Sequence, residues 1–363
     1  MVLLNGKLKK HRVNFTAVTF LHYKIEVMKI FFSFAVFVLL FAACKPKTKP
    51  AGKKIEEKTM LTLGGEQQYV EITGDNDDAP VLLFIHGGPG WPQTPMLRYF
   101  NSDLNKKFVL VSWDQRGCGK SYMSNANPPN MTLQQIVADA HELTIYLKEK
   151  FKQRRIYIAG FSWGSIVGME LAKQYPDDYK AYIGISQVVN MRKGIEVGRQ
   201  WIAEEAKKEN DTATLNALAK LNANDTSFCK GDLACFMQQY MLVNKYKGAT
   251  FNDSTAALEE KAMQLYDDYK SYDWNKGFEF SASHLEKDMF ATDFTKVEQF
   301  KIPVYFLQGK HDWNVPSVVA ATYFENISAP EKKLYWFNNS GHNLPEEEPA
   351  LFNETLMYKI LKD

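Results

Sequence analysis

Charge of one sign, cysteine and long apolar runs are all in short supply in this chain. Its 363 residues carry 44 Lys/Arg against 42 Asp/Glu, and six of the basic residues share positions 1–43 with a single acid, leaving 38 against 41 beyond them. A body that is slightly acidic has no basic stripe with which to follow a phosphate backbone, so nucleic-acid binding is set aside. Only four cysteines occur, none in a Cys-x-x-Cys pair and none with a histidine close by, which argues against a structural zinc site. His141-Glu142 lacks a second histidine one helical turn further on, so the zinc-hydrolase signature is missing as well. No metal and no cofactor are called for. The apolar run 30–43 is fourteen residues interrupted only by Ser33, short of the roughly 20 that span a bilayer comfortably. With 45% hydrophobic and 24% charged residues, the chain has material for one large core and a smaller second or inserted domain.

The apolar run follows Met28-Lys29 and ends at Cys44, which suits the core of a secretory signal. Leu40-Phe41-Ala42-Ala43-Cys44 resembles a bacterial lipobox, although Phe41 stands where leucine is usual. The resemblance implies a lipoprotein signal peptide over 28–43, a lipidated Cys44 and a membrane-tethered protein of the bacterial cell envelope facing the periplasm; an uncleaved signal anchor is the alternative. Residues 1–27 fit no such scheme, so translation is expected to begin at Met28. Beyond Cys44 the Lys/Pro-containing stretch 45–54 has nothing to bury and reads as part of a flexible tether over 44–65. In an oxidising compartment Cys229 and Cys235 either close a small disulfide loop or stay two buried thiols.

From about residue 66, short apolar runs alternate with longer helical patterns, the signature of an α/β fold with a mostly parallel central sheet flanked by helices. Strands are expected at 68–73, 81–85, 108–113, 156–159, 182–185, 302–307 and 333–337. A helix over 133–151 follows from the spacing of Ile136, Val137, Ala140, Leu143 and Leu147, and another closes the chain over 349–361. Between 190 and 295 the sequence is charged and helix-prone without apolar strand runs, so a helical cap is expected there, inserted between core segments 66–189 and 296–363.

Gly160-Phe161-Ser162-Trp163-Gly164 stands where the run 156–159 gives way to a helical pattern. A strand turning sharply into a helix leaves its central serine exposed at the sheet edge, with glycines where side chains would clash. A serine hydroxyl needs a base to take its proton and an acid to orient that base. Asp312 follows the 302–307 strand in Gln308-Gly309-Lys310-His311-Asp312, and His342 follows the next in Asn338-Asn339-Ser340-Gly341-His342. The chain order Ser162, Asp312, His342 is that of α/β-hydrolases. Asp114 is a competing acid, and His86 and His311 also fall in sheet-edge turns. His86 is read as holding its own glycine loop, and His311, next to the acid, as pointing away. The backbone N–H groups of Trp163 and Gly88 are the candidate oxyanion donors.

His86-Gly87-Gly88-Pro89-Gly90, Asp114-Gln115-Arg116-Gly117-Cys118-Gly119-Lys120-Ser121 and Gly160-Phe161-Ser162-Trp163-Gly164-Ser165 together resemble the prolyl aminopeptidase (proline iminopeptidase) family of α/β-hydrolases. The resemblance covers the chain from about residue 66, outside the cap. It implies Ser162, Asp312 and His342 as a catalytic triad, Gly88 and Trp163 as oxyanion donors, and Asp114 and Arg116 as braces of the oxyanion loop. Family members bind the ammonium of an N-terminal proline with cap glutamates, often in a Trp-Glu pair. This chain has no Trp-Glu; Trp201 near Glu204 and Glu205, and Trp274 near Glu279, are the nearest approach, and Glu204 and Glu205 are the candidate substrate-binding residues. A small peptide or a small acyl ester is the expected substrate, with a non-catalytic ligand-binding homologue as the reading from another class.

Overall fold

A computed structural model describes residues 52–224 and 233–361, together with Met28. The expected signal peptide, the lipidation site Cys44 and the first part of the expected tether, 44–51, lie outside the described residues, as does Cys229. The chain divides into two units at Pro50, and the second, from Ala51 onward, carries everything that follows.

Eight strands make one sheet in the order β1-β2-β4-β3-β5-β6-β7-β8. They are β1 (Ile55–Leu63), β2 (Glu66–Gly74), β3 (Val81–Ile85), β4 (Val109–Trp113), β5 (Ile156–Phe161), β6 (Tyr179–Ile185), β7 (Val304–Gly309) and β8 (Lys332–Phe337). β2 runs antiparallel to both β1 and β4, and every other pairing is parallel. Strands β3, β4 and β5 are buried at every position, the condition of a parallel strand covered by helices on both faces. Alternate side chains of β3 therefore enter two different cores: Val81, Leu83 and Ile85 go to one, Leu82 and Phe84 to the other.

β1 corrects the sequence reading. The expected tether 44–65 overlaps this strand, so the folded unit starts at least as early as Ile55. Glu56, Lys58, Met60 and Thr62 are exposed and alternate with half-buried neighbours; an edge strand with one solvated face and three successive charged residues has no apolar run to announce it.

Four helices accompany the first half of the sheet: α1 (Thr94–Phe100), α2 (Gly119–Ser124), α3 (Leu133–Lys150) and α4 (Trp163–Gln174). α3 starts at Thr132, whose hydroxyl accepts the N–H of Gln135, and buries Ile136, Val137, Ala140, Leu143 and Leu147. Between β6 and β7 come α5 (Met191–Lys208), α6 (Thr212–Asn224), α7 (Leu233–Lys245), α8 (Asp253–Leu265) and α9 (Trp274–Ala291), in the region read as a cap. They include a small core of their own around Ile202, Leu218, Leu221 and Val243. Cys235 of α7 is disulfide-bonded. The chain finishes with α10 (Ser317–Asn326), α11 (Leu344–Glu347) and α12 (Pro349–Glu354), the last passing into a wider π-helical turn over Thr355–Ile360, so the expected closing helix is present with a change of pitch. Among the described residues no helix is long and apolar enough to cross a membrane.

Candidate active site

The turn from β5 into α4 holds Ser162 at φ 52° and ψ −117°, a backbone state that L residues adopt only when their surroundings impose it. The imposition is visible. Ser162 N–H donates to Ile185 O at 2.9 Å, and Ser162 O accepts from the N–H of Ser165 at 2.8 Å and its hydroxyl at 2.6 Å. A Cβ at Gly160 would lie 2.3 Å from Gly164 O, and one at Gly164 would lie 2.1 Å from Ile85 O. The two glycines let strand and helix cross closely enough to force the serine outward.

The turns after β7 and β8 bring Asp312 and His342 to that serine. His342 Nε2 lies 2.9 Å from Ser162 Oγ, and His342 Nδ1 lies 2.9 Å from Asp312 Oδ2. Because the carboxylate only accepts, the proton belongs on Nδ1 and leaves Nε2 free to accept from the hydroxyl. Asp312 is 1% exposed, and its other oxygen accepts the N–H groups of Asn314 and Val315 at 3.0 and 2.9 Å. Three residues far apart in sequence form one hydrogen-bonded line at the carboxyl edge of the sheet.

Gly88, at φ +107° in the loop after β3, and Trp163 border the same cavity as Ser162. Trp163 Nε1 donates to Gln115 Oε1 at 3.0 Å, and Gln115 Nε2 donates to His86 O at 2.9 Å. His86 Nε2 accepts the Gln115 N–H at 3.1 Å while its Nδ1 donates to Gly87 O at 2.8 Å. Burial pushes His86 down to about 4, so the ring is neutral at physiological pH and serves as a brace. Asp114 accepts from Lys120 N–H and Tyr269 OH at 2.9 and 2.7 Å, and burial raises it to about 6. Arg116 clasps Asp139 with two nitrogens at 2.9 and 3.1 Å. His311 points elsewhere: it meets Asn338 O at 3.1 Å and stacks on Phe251 at 3.9 Å.

A cavity of about 360 Å³ opens over Ser162. Its walls are largely apolar, with Trp91, Phe161, Met191, Phe236, Tyr240 and Phe278 among them. Glu204 and Glu205 are not part of it. α5 buries Ile195, Gly198, Arg199, Ile202 and Ala206, which turns Glu204 to solvent and leaves Glu205 paired with Lys208 at 2.6 Å. Trp201 lies flat on Trp313 at 5.1 Å and does not line the cavity either. Trp274 packs against Trp91 at 5.0 Å, while Glu279 is exposed.

The carboxylate that does line the cavity is Glu259 of α8. It is half-buried and accepts from Asn343 Nδ2 at 2.8 Å. Desolvation, with the charge of Glu347 adding, raises it to about 7. Behind it Glu346 accepts from Gln93, whose side chain also borders the cavity; burial and the neighbouring Glu259 drive Glu346 well above the ordinary carboxyl range. Nothing in the sequence separates Glu259 from Glu260 beside it, because both sit in a charged helical stretch. Among the described residues no group of three or more His, Cys, Asp or Glu side chains is arranged to hold a metal ion.

The family model described as the alpha/beta hydrolase fold matches residues 80–349. The chain belongs to the α/β-hydrolase family. As a member of it, the protein is a serine hydrolase, and it resembles the prolyl aminopeptidases within the family. A probable aminopeptidase of Bacillus subtilis is 33% identical over 313 residues, covering 85% of this chain and 97% of the relative. The proline iminopeptidase of Neisseria gonorrhoeae is 35% identical over 118 residues, 32% of this hydrolase and 35% of that one. Among solved structures, a proline iminopeptidase-related protein from Thermus thermophilus superposes with a TM-score of 0.57 at 20% identity, covering 84% of this chain and 96% of its own. An esterase from Exiguobacterium antarcticum does so with a TM-score of 0.55 at 18% identity, covering 84% and 99%. At such identities these likenesses speak for the fold alone.

Proposed function

We propose that this α/β-hydrolase is an aminopeptidase that removes an N-terminal residue from small peptides. Ser162 attacks the carbonyl carbon of that residue while His342 takes the hydroxyl proton, and Asp312 holds the imidazole and stabilises its charged form. The oxyanion faces the backbone N–H groups of Gly88 and Trp163, each such donor contributing about 2.7–4 kcal/mol to the transition state. His342 passes its proton to the departing amine, and a water molecule, activated by the same imidazole, frees the acid from Ser162 and restores the hydroxyl.

The observation that carries the choice of peptide over ester is Glu259. A carboxylate in a largely apolar cavity is costly to bury unless it meets a cation, and the free α-ammonium of a peptide supplies one. An acyl ester without an amine leaves Glu259 without that partner. The test compares aminoacyl p-nitroanilides with p-nitrophenyl esters of unsubstituted acids. The anilides are expected to turn over, and Ser162→Ala is expected to lower kcat by about a millionfold. Turnover of the esters alone would make the enzyme a carboxylesterase.

A further inference from the structure

Two of the helices that line the cavity from the cap side, α7 and α8, are joined by residues 246–252, and this linker lies directly on the two loops that carry the acid and the base. Trp313 N–H, next to Asp312, donates to Gly248 O at 2.7 Å, and His342 N–H donates to Ala249 O at 2.6 Å. A Cβ at Gly341 would stand 2.4 Å from Ala249 O, so the two backbones are in direct contact. Glu347 of α11 closes the arrangement. Its Oε2 accepts the N–H of Gly341 at 2.6 Å, and its Oε1 accepts the N–H groups of Phe251 and Asn252 at 2.6 and 2.8 Å.

We propose that Glu347 is a positioning residue that clamps the loop carrying His342 to the linker of the cap, so that the cap sets the alignment of the base on Ser162. The proposal rests on the serine-hydrolase assignment of Ser162 and His342. A carboxylate suits this place because both oxygens accept, and each can take donors from a different segment. An amide of the same shape presents an NH₂ group to one set of N–H donors and loses the join there. Tyr240 of α7 and Glu259 of α8 both face the cavity, so whatever fills it bears on the linker they bracket. Glu348 holds the same loop from the other side, through Ser340 Oγ at 2.7 Å and Asn339 N–H at 3.0 Å; those bonds do not involve the cap.

The experiment measures how fast a small fluorophosphonate labels Ser162, a reaction that needs an aligned base whatever the natural substrate is. In Glu347→Gln the labelling rate is expected to fall by about ten- to a hundredfold. kcat on an aminoacyl anilide should fall in parallel, with KM moving less than about twofold, and Glu348→Gln should stay near the wild-type rate. Gly341→Ala, which pushes the loop off the linker with Glu347 intact, should slow labelling too, and serves where Glu347→Gln does not fold. A wild-type rate in folded Glu347→Gln or in Gly341→Ala, or an equal loss in Glu348→Gln, overturns the clamp. Failure of the wild-type enzyme to label would instead remove the serine-hydrolase assignment on which the clamp rests.

Discussion

Glu259 titrates in the range where the enzyme would work, raised to about 7 by its surroundings. The sign of the effect follows from which form binds a cation. Below that value the carboxyl is neutral and attracts an ammonium weakly; above it the carboxylate is charged. KM for a substrate with a free α-amino group should therefore fall as pH rises from about 6 towards 7.5, until the amine itself deprotonates near its model value of about 7.7–8.0. Glu259→Gln should show a higher KM with no such slope. A wild-type KM that is flat over this interval would remove Glu259 from substrate recognition. Residues of this kind are hard to see in a sequence. Ser162, Asp312 and His342 are legible because each follows a recognisable strand in a fixed order, whereas Glu259 differs from Glu204 and Glu205 only in which way its helix faces.

The same contrast holds for elements. β3, β4 and β5 are covered on both faces, so their sequences are nearly continuous apolar runs, broken in β4 only by Ser112, and can be read directly. β1 is an edge strand whose alternate residues meet solvent, and its charged residues read like linker. Its hairpin with β2 is tied to the core by Arg116, whose guanidinium reaches Gly64 O at 3.0 Å and pairs with Asp139 where both side chains are essentially inaccessible. Removing one member of a buried pair strands the other, at a cost of about 3–5 kcal/mol. Arg116→Ala should lower the unfolding free energy by that amount in urea denaturation. A change within the few tenths of a kcal/mol typical of surface sites would mean that Arg116 does not hold the hairpin.

At the scale of the whole molecule, turns at the carboxyl edge of the sheet bring Ser162, Asp312 and His342 together, and the helices between β6 and β7 add Phe236, Tyr240, Glu259 and Phe278 to the cavity above them. That helices lie between β6 and β7 is legible because charged helical sequence replaces apolar strand runs there; the direction in which each helix faces is not, since an amphipathic pattern gives a stripe but not its partner. The cellular address rests on the N-terminal sequence. If the lipobox-like Leu40-Phe41-Ala42-Ala43-Cys44 directs lipidation, Cys44→Ala should move the enzyme from the membrane fraction to the soluble one. Unchanged retention would favour the uncleaved anchor. Whether the enzyme is an aminopeptidase that recognises a free amine is read from kcat/KM on one aminoacyl p-nitroanilide with its α-amino group free and again with that group acetylated. Turnover of the free amine is expected, with a loss of about a hundredfold or more on acetylation, the scale of removing a charge-assisted contact. Equal turnover of the two, or turnover of the acetylated compound alone, would contradict that recognition.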